Sequence, residues 1–226
     1  MRFAEPPVWL RPDTGTGWAR ALSGWSAHGR LVAAATAADW GTGRAGSRHL
    51  IAATLGHLLG REAAGIALAR DDQGRPYPVH GGTGERLPVD VNLSHTGDLF
   101  VLGVSRAGRI GVDIERADRI IATGPSMLAR FCHPAETVAL SGVSGAVRTE
   151  AIARLWVGKE AIAKADGRGL AIGMPTVRVD RPPQGYRLGI DRLRRAPSGA
   201  DYWVAVALRE DRTTPITTRT LQEAAR

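Results

Sequence analysis

The sequence predicts an α+β fold of two similar lobes, a pseudo-dimer in which each lobe packs a long helix on a small antiparallel sheet. Apolar residues recur at helical spacing in residues 47–59 and 152–163. Shorter segments that alternate apolar and polar residues, as half-buried strands do, follow each helix. Because the order of elements is similar in the two halves, we divide the chain into an N-terminal lobe, residues 1–107, and a C-terminal lobe, residues 108–226.

The N-terminal lobe is expected to begin with a strand at residues 7–10, followed by loops and a short helix. The small residues at 31–38 fit either a helix or a strand. A Gly-rich segment then leads into the helix at 47–59. Beyond this helix we predict a turn at 71–78, in which Gly and Pro interrupt regular structure, and three strands, at residues 65–70, 89–97 and 99–104.

The C-terminal lobe is expected to open with a strand at residues 109–115, which forms a hairpin with the strand at 99–104 through a tight turn. This hairpin would place Ser94-His95 at one end and Asp113-x-Glu115 at the other. The long helix of this lobe should end at Gly167 and Gly169. We also predict a short helix within 119–129, a helix from Pro134, strands at 174–180, 186–190 and 201–208, and a frayed tail after Arg209.

The composition indicates a cytoplasmic protein with anionic partners. The 226 residues carry a net charge of +8, which favours a phosphorylated cofactor, an acidic protein or nucleic acid. The arginines are dispersed, only three Phe and three Tyr are present, and no nucleic-acid motif occurs, so we do not expect nucleic acid. No apolar run is long enough for a membrane span, the N-terminus lacks a signal-peptide core, and the single Cys132 excludes an internal disulfide.

Only two of the 30 basic residues are lysines, Lys159 and Lys164, and both lie in the long C-terminal helix. An ammonium is a compact point charge, so two lysines in an arginine-rich chain suggest a site that needs this geometry. Lys159 falls within the apolar stripe and is expected to bury its stem and expose its tip. Glu160 and Lys164 share one face of the helix, where they form either a solvated ion pair or part of a site.

Asp113 and Glu115 are the candidate metal ligands, because residues two apart on a strand point to the same face. Together with Glu160 they supply the oxygen donors that Mg²⁺ prefers. Arg44 and Arg48, at the start of the first long helix, are either surface arginines or anion ligands. Together with Lys164 and Arg75 they are candidate phosphate ligands. Acidic metal ligands and phosphate-binding cations are typical of phosphoryl-type transfer, in which positioning and charge neutralisation supply most of the catalysis.

These segments resemble the signature motifs of the 4′-phosphopantetheinyl transferases, and most closely the surfactin-synthetase-activating (Sfp) type. The main pair is Gly111-Val-Asp-Ile-Glu115 and Trp156-Val-Gly-Lys-Glu-Ala-Ile-Ala-Lys164. Supporting blocks occur in the family's order, namely Gly74-Arg-Pro76, Asn92-Leu-Ser-His95, Arg130-Phe-Cys-His-Pro-Ala-Glu136 and Gly167-Arg-Gly-Leu170.

The resemblance implies a monomer that binds coenzyme A between its lobes and moves the phosphopantetheine arm to a serine of an acidic acyl or peptidyl carrier protein. Such an enzyme would serve polyketide or nonribosomal peptide biosynthesis or fatty acid synthesis. Asp113, Glu115 and Glu160 match the Mg²⁺ ligands, and Glu160 also matches the base that takes the serine proton, with Lys164 as the second catalytic group. The coenzyme contacts implied are Arg44, Arg48, Gly74, Arg75, Pro76, Ser94, His95, Asp113, Lys159 and Lys164.

Two other functions are compatible with clustered acids on a basic chain. One is a metal-dependent phosphoesterase or nuclease, which would hydrolyse a diester without any carrier protein. The other is a non-enzymatic, basic nucleic-acid-binding module, in which the acids are dispensable. The Lys-Glu-x-x-x-Lys and Asp-x-Glu motifs together favour the transferase over both.

Overall fold

A computed structural model describes residues 7–13, 15–119, 121, 124–194 and 199–210. Within these ranges helices and small sheets are mixed along the chain, which confirms the α+β class. Six α-helices are present: α1 (Gly15–His28), α2 (Ala37–Trp40), α3 (Gly43–Leu59), α4 (Pro125–Phe131), α5 (Pro134–Ser141) and α6 (Gly145–Asp166). None of the helices in the described ranges is both long and apolar enough to cross a bilayer.

The strands form three sheets. The four-stranded sheet has the order β1-β2-β6-β5, made of β1 (Val8–Trp9), β2 (Arg30–Thr36), β5 (Asp90–Thr96) and β6 (Leu99–Ser105). The three-stranded sheet has the order β7-β9-β8, made of β7 (Arg109–Arg116), β8 (Tyr186–Leu193) and β9 (Tyr202–Arg209). A separate hairpin pairs β3 (Ile66–Arg70) with β4 (Pro76–His80).

All strand pairs are antiparallel except β1 and β2, which run parallel. The four-stranded sheet is therefore mixed, whereas the sequence predicts a purely antiparallel sheet. Apolar side chains of α1, α3 and this sheet share one core, in which Trp25, Leu50 and Leu102 are buried. A second core joins α6 to β8 and β9 through residues such as Ile162 and Ile190. The two long helices thus owe their stability to tertiary packing, as helices in proteins generally do.

The predicted hairpin between residues 99–104 and 109–115 is wrong. β6 pairs with β2 and β5, whereas β7 pairs with β9 in the other sheet. The two strands pack face to face instead, because Gly103 on β6 leaves room for Ile110 and Val112. Every residue of β6 is consequently buried, since it is covered on both faces.

Residues 174–180 are also not a strand. Met174–Thr176 forms a 3₁₀ turn, and the backbone polar groups of this segment are satisfied by side chains. Lys159 donates to the carbonyl groups of Met174 (3.0 Å) and Val177, and the N–H of Val179 donates to Glu136 (2.9 Å). These side chains therefore occupy three backbone groups that a strand ladder would otherwise use.

Three further predictions need correction or refinement. The turn expected at 71–78 is shorter, because β4 begins at Pro76. Residues 31–38 contribute to both candidate elements, a strand that ends at Thr36 and a short helix after it. Pro134 does start a helix, whose N-cap His133 forms a capping box with Glu136. The tail predicted after Arg209 lies outside the described residues from residue 211 onward.

Glycine allows α6 to approach its neighbours at two places. At Gly158, a Cβ would lie 2.8 Å from the side chain of Ile190 and 3.1 Å from that of Val179. The close approach at Gly158 is therefore made to side chains. At Gly111 on β7, a Cβ would lie 2.1 Å from the carbonyl oxygen of Ala161, so β7 and α6 meet backbone to backbone.

We expect Gly111→Ala to destabilise the protein strongly. Its methyl group would overlap fixed backbone atoms of α6, and pushing α6 away opens the core, at a cost of about 3 kcal/mol or more. Urea unfolding followed by circular dichroism measures this loss. Gly142→Ala is the matched control, since Gly142 has φ −83° and a Cβ there meets its nearest neighbour at 3.7 Å. Equal midpoints for the two variants would contradict the prediction.

Candidate active site

A row of polar side chains on β5 joins the two sheets. Asp90, Asn92, Ser94 and Thr96 alternate along β5, so they share one face. The carboxylate of Asp90 accepts the N–H of Ile110 (2.7 Å), and the amide oxygen of Asn92 accepts the N–H of Val112 (2.8 Å). Because β7 is an edge strand, these side chains pair backbone groups that its sheet leaves free, and they fix β7 against β5.

Arg75, expected to contact coenzyme A, donates several hydrogen bonds within the protein. One terminal nitrogen donates to Asp90 (2.6 Å) and to the carbonyl of Ile110 (2.7 Å), and the other donates to the carbonyl of Lys164. The residue is only 9% exposed. These hydrogen bonds make Arg75 a clamp between the β3–β4 hairpin, β7 and α6, and its contact with coenzyme A stays a prediction.

Lys164 of α6 extends to β7, where its ammonium pairs with the carboxylate of Asp113. Its ammonium donates to Asp113 Oδ1 (2.7 Å), to Ser94 Oγ (3.0 Å) and to the carbonyl of Val112 (3.1 Å). The hydroxyl of Ser94 also donates to Asp113 Oδ1 (2.7 Å). This oxygen of Asp113 is therefore held by two donors from two different elements, which fixes the carboxylate.

Glu160 lies one turn before Lys164 and interacts with the same carboxylate. Burial, and then the negative charge of Asp113, raise the pKa of Glu160 above its ordinary value, while the charge of Lys164 opposes the rise. The ammonium of Lys164 is thus hydrogen-bonded to Asp113, and its charge also acts on Glu160. A raised pKa between neighbouring acids marks a site that is short of positive charge, and hard oxygen donors of this kind fit Mg²⁺.

Glu115, the third expected ligand, is held by other partners. Its Oε1 accepts the hydroxyl of Thr96 (3.0 Å) and the N–H of Arg116 (2.9 Å), and Arg119 pairs with Oε2. Among the described residues, no group of three or more His, Cys, Asp and Glu side chains is arranged to hold a metal ion. Two of the three expected ligands therefore interact, while the third has the right chemistry but is engaged by a cationic side chain.

Residues 109–207, which contain these acids and Lys164, match the family model of the 4′-phosphopantetheinyl transferase superfamily. This part of the chain is therefore similar to that superfamily. A relative from Synechocystis sp. that is provisionally named a 4′-phosphopantetheinyl transferase is 33% identical over 151 residues, 60% of this chain and 58% of that protein. The 4′-phosphopantetheinyl transferase HetI of Nostoc sp. is 29% identical over 124 residues, 55% of this chain and 51% of HetI. The chain thus spans between half and three-fifths of the length of these relatives.

Lys159 precedes Glu160 in the matched range but its side chain points away from Asp113 and Lys164. It is 1% exposed, so the expectation that its tip is exposed is wrong. Its ammonium pairs with Glu136 at 2.8 Å and donates to the two carbonyl groups already described. With three acceptors for three N–H groups, Lys159 is fully satisfied inside the protein and offers a phosphate no free donor.

The remaining candidate coenzyme contacts lie before the matched range. Arg44 and Arg48 are exposed in the N-terminal part of α3, whose N-cap residue makes no side-chain hydrogen bond. His95 is exposed at the end of β5 and meets Phe100 edge to face, with 6.1 Å between ring centroids. Gly74 has φ 79° in the turn that precedes Pro76. Their contacts with coenzyme A stay predictions.

Sequence reasoning missed the residues that support this site. From the sequence, Asp90 and Thr96 are assigned only to a half-buried strand and Asn92 only to a supporting block, although all three share a strand face with Ser94. Four hydrogen-bonding side chains in a row on one strand face were the available signal. Arg119 carried no signal, because its contact with Glu115 depends on how the chain turns after β7.

Proposed function

We propose that this protein transfers the 4′-phosphopantetheine arm of coenzyme A to a serine hydroxyl of an apo acyl or peptidyl carrier protein, with Mg²⁺, and releases adenosine 3′,5′-bisphosphate. The observation that carries this proposal is the meeting of Asp113, Glu160 and Lys164 across β7 and α6, within the range matched by the superfamily model. The names of both relatives agree with this activity.

Asp113 and Glu160, with Glu115, would hold the Mg²⁺, which when bound neutralises charge on the pyrophosphate of coenzyme A. Glu160 takes the proton of the carrier serine, since a serine hydroxyl is a weak nucleophile until a base is within reach. A carboxylate with a raised pKa is a stronger base than an ordinary one and suits this role. The serine oxygen then bonds to the phosphorus that carries the pantetheine, and the bond to the bisphosphate oxygen breaks.

Lys164 contributes by position and charge. Its ammonium holds the carboxylate of Asp113 in place and lies beside the phosphates of the bound substrate in this proposal. There it would stabilise the negative charge that develops on the leaving oxygen. The excess of basic residues in the chain would steer an acidic carrier protein toward the site.

The finer assignments belong to the same proposal. We propose the Sfp type, a monomer of two similar lobes with a boundary at residue 107, and a cytoplasmic location. The side-chain row between β5 and β7 supports a boundary there, because the polypeptide passes from one sheet to the other between β6 and β7. The hydrogen bonds between β5 and β7 would hold the two lobes at a fixed position on either side of a cleft between them.

We predict that the protein converts apo carrier proteins to their holo forms. The protein is incubated with coenzyme A, MgCl₂ and apo carriers of fatty acid, polyketide and nonribosomal peptide type, and each carrier is weighed by intact-protein mass spectrometry. We expect each accepted carrier to gain one phosphopantetheine arm. The gain should disappear when EDTA is added or when the carrier serine is replaced by alanine. Unmodified carriers together with hydrolysis of a phosphodiester would favour the phosphoesterase alternative.

A further inference from the structure

We propose that Arg109 is a positioning residue that fixes the C-terminal end of α6 against β7 and thereby sets the position of Lys164 relative to Asp113. This inference rests on the proposed function, in which Lys164 acts by its position, and it adds a residue outside the motifs that carry the family resemblance. Arg109 is the first residue of β7. Its Nη1 donates to the backbone carbonyl of Asp166, the last residue of α6, at 3.1 Å.

This hydrogen bond satisfies a carbonyl group at the end of α6. The last carbonyl groups of a helix have no partner within the helix, and they form the negative end of its dipole. The carbonyl of Ala163 accepts the N–H of Gly167 at 3.0 Å, whereas that of Asp166 accepts from a guanidinium. A Cβ at Gly167 would lie 2.7 Å from Nη2 of Arg109. The guanidinium therefore lies directly against the residue that ends the helix, where a cation is favoured.

Arg109 and Asp113 hold α6 from the same face of β7. They are four residues apart on the strand, so their side chains point the same way, with Gly111 between them. Asp113 pairs with Lys164 at 2.7 Å, and Gly111 lies where β7 and α6 meet backbone to backbone. Lys164 is only two residues before the carbonyl that Arg109 binds. Any movement of this helix end away from β7 would therefore displace Lys164, and the hydrogen bond of Arg109 opposes such a movement.

The guanidinium of Arg109 is itself oriented by the turn before β4. Its Nη2 pairs with Oδ2 of Asp71 at 3.5 Å. The other oxygen of Asp71 accepts the N–H groups of Gln73 (3.0 Å) and Arg75 (2.9 Å), so the carboxylate is fixed by its own turn. The two terminal nitrogens of Arg109 thus have separate acceptors, one in this turn and one in α6. A planar guanidinium presents both donors at a fixed angle, which an ammonium does not.

Arg209 provides an internal comparison, because it donates to the same carbonyl of Asp166, at 3.3 Å. It is the last residue of β9, so its contact ties the end of α6 to a strand that carries neither Asp113 nor the other candidate acids. Its side chain is also 41% exposed, against 28% for Arg109. If the position relative to β7 matters, the two arginines should differ in effect although they share an acceptor.

The test compares Arg109→Met with Arg209→Met in full-length protein labelled with ¹³C-lysine and studied by NMR. Because the chain contains only two lysines, the spectrum shows two Cε signals, which the spectrum of Lys164→Met assigns. We expect Arg109→Met to shift the Lys164 signal toward that of an unconstrained lysine and to leave the Lys159 signal in place. Arg209→Met should leave both signals at their wild-type positions.

In the transfer assay, Arg109→Met should lower the rate at saturating coenzyme A and carrier about tenfold, less than the roughly 10²-fold that a misplacement of about 1 Å can cause. Arg109→Lys should recover part of the rate, because it keeps a cationic donor but cannot serve both acceptors. Arg209→Met should transfer the arm at close to the wild-type rate. If Arg109→Met does not fold, Arg109→Gln removes the guanidinium but keeps a polar side chain, and the same readings apply.

Three results would overturn the inference: an unchanged Lys164 signal in a folded Arg109 variant, a wild-type rate in that variant, or equal effects of Arg109→Met and Arg209→Met. Each of them leaves the proposed function intact. A wild-type protein that does not transfer the arm overturns the proposed function itself, and the lysine signals still report whether Arg109 positions Lys164.

Discussion

Glu160→Gln is expected to abolish transfer of the phosphopantetheine arm without loosening the fold. Glutamine keeps the size of the side chain but cannot accept a proton or bind Mg²⁺ as a carboxylate does. Loss of a general base typically lowers the rate about 10²–10⁴-fold, and loss of a metal-binding charge at the same position adds to this. Intact-mass measurement of carrier conversion under single-turnover conditions measures the rate.

The same variant should be at least as stable as the wild type in metal-free buffer at pH 7. Burial and Asp113 raise the pKa of Glu160 above 4.5, so the folded state binds the proton more tightly than the unfolded state. The stability gained from protonation is present below the unfolded pKa and is lost as pH rises through the folded pKa. Ionised Glu160 therefore costs stability at neutral pH, and glutamine removes this cost.

Glu150→Gln provides the control for both measurements. Glu150 lies on the same helix but pairs with Arg192 at 2.7 Å, and its side chain is 41% exposed. We expect this variant to transfer the arm at the wild-type rate. Normal turnover in Glu160→Gln would refute the role of Glu160 as base, and a clear loss of thermal stability would show that its charge is structurally required.

The long helices and the strand faces could be predicted from sequence because their signals are local. The apolar period placed α3 and α6 within a few residues, and alternation placed β5, β6 and β7 along the chain. Sheet membership could not be predicted in this way. β7 pairs with β9, almost ninety residues later, and no pattern within either strand indicates which strand it pairs with. The predicted β6–β7 hairpin failed for this reason.

The sequence indicates which charged side chains lie near one another but not which residues support them, and their catalytic and metal-binding roles stay predictions. Asp113, Glu160 and Lys164 were expected to meet, and they interact. Arg75 looked like a phosphate ligand because it lies in a Gly-Arg-Pro turn, but three protein acceptors surround its guanidinium. Lys159 and Lys164 lie on the same helix, so their spacing does not predict which of them lies near Asp113. Only the packing of Glu136 shows that Lys159 is turned the other way.

Lys159→Met is expected to cause the largest loss of stability among single substitutions of charged residues in this chain. Methionine fills a similar volume but leaves the carboxylate of Glu136, itself 6% exposed, without its ammonium. It also removes the donor of two carbonyl groups, those of Met174 and Val177. Breaking a buried ion pair by removing one partner costs about 3–5 kcal/mol, which lowers the melting temperature by roughly 10 °C for a chain of this size.

A double-mutant cycle separates this explanation from a role in binding coenzyme A. Glu136→Gln removes the orphaned charge, so combining it with Lys159→Met should recover part of the stability lost by Lys159→Met alone. Lys164→Met is the comparison on the same helix, since the Lys164 side chain is 27% exposed and its loss should impair transfer far more than stability. If Lys159→Met instead unfolds like the wild type and raises only the KM for coenzyme A, Lys159 contacts the coenzyme as its motif suggests. Urea unfolding decides between the two roles. A structural Lys159 lowers the free energy of unfolding when it is replaced, whereas a Lys159 that only contacts the coenzyme does not.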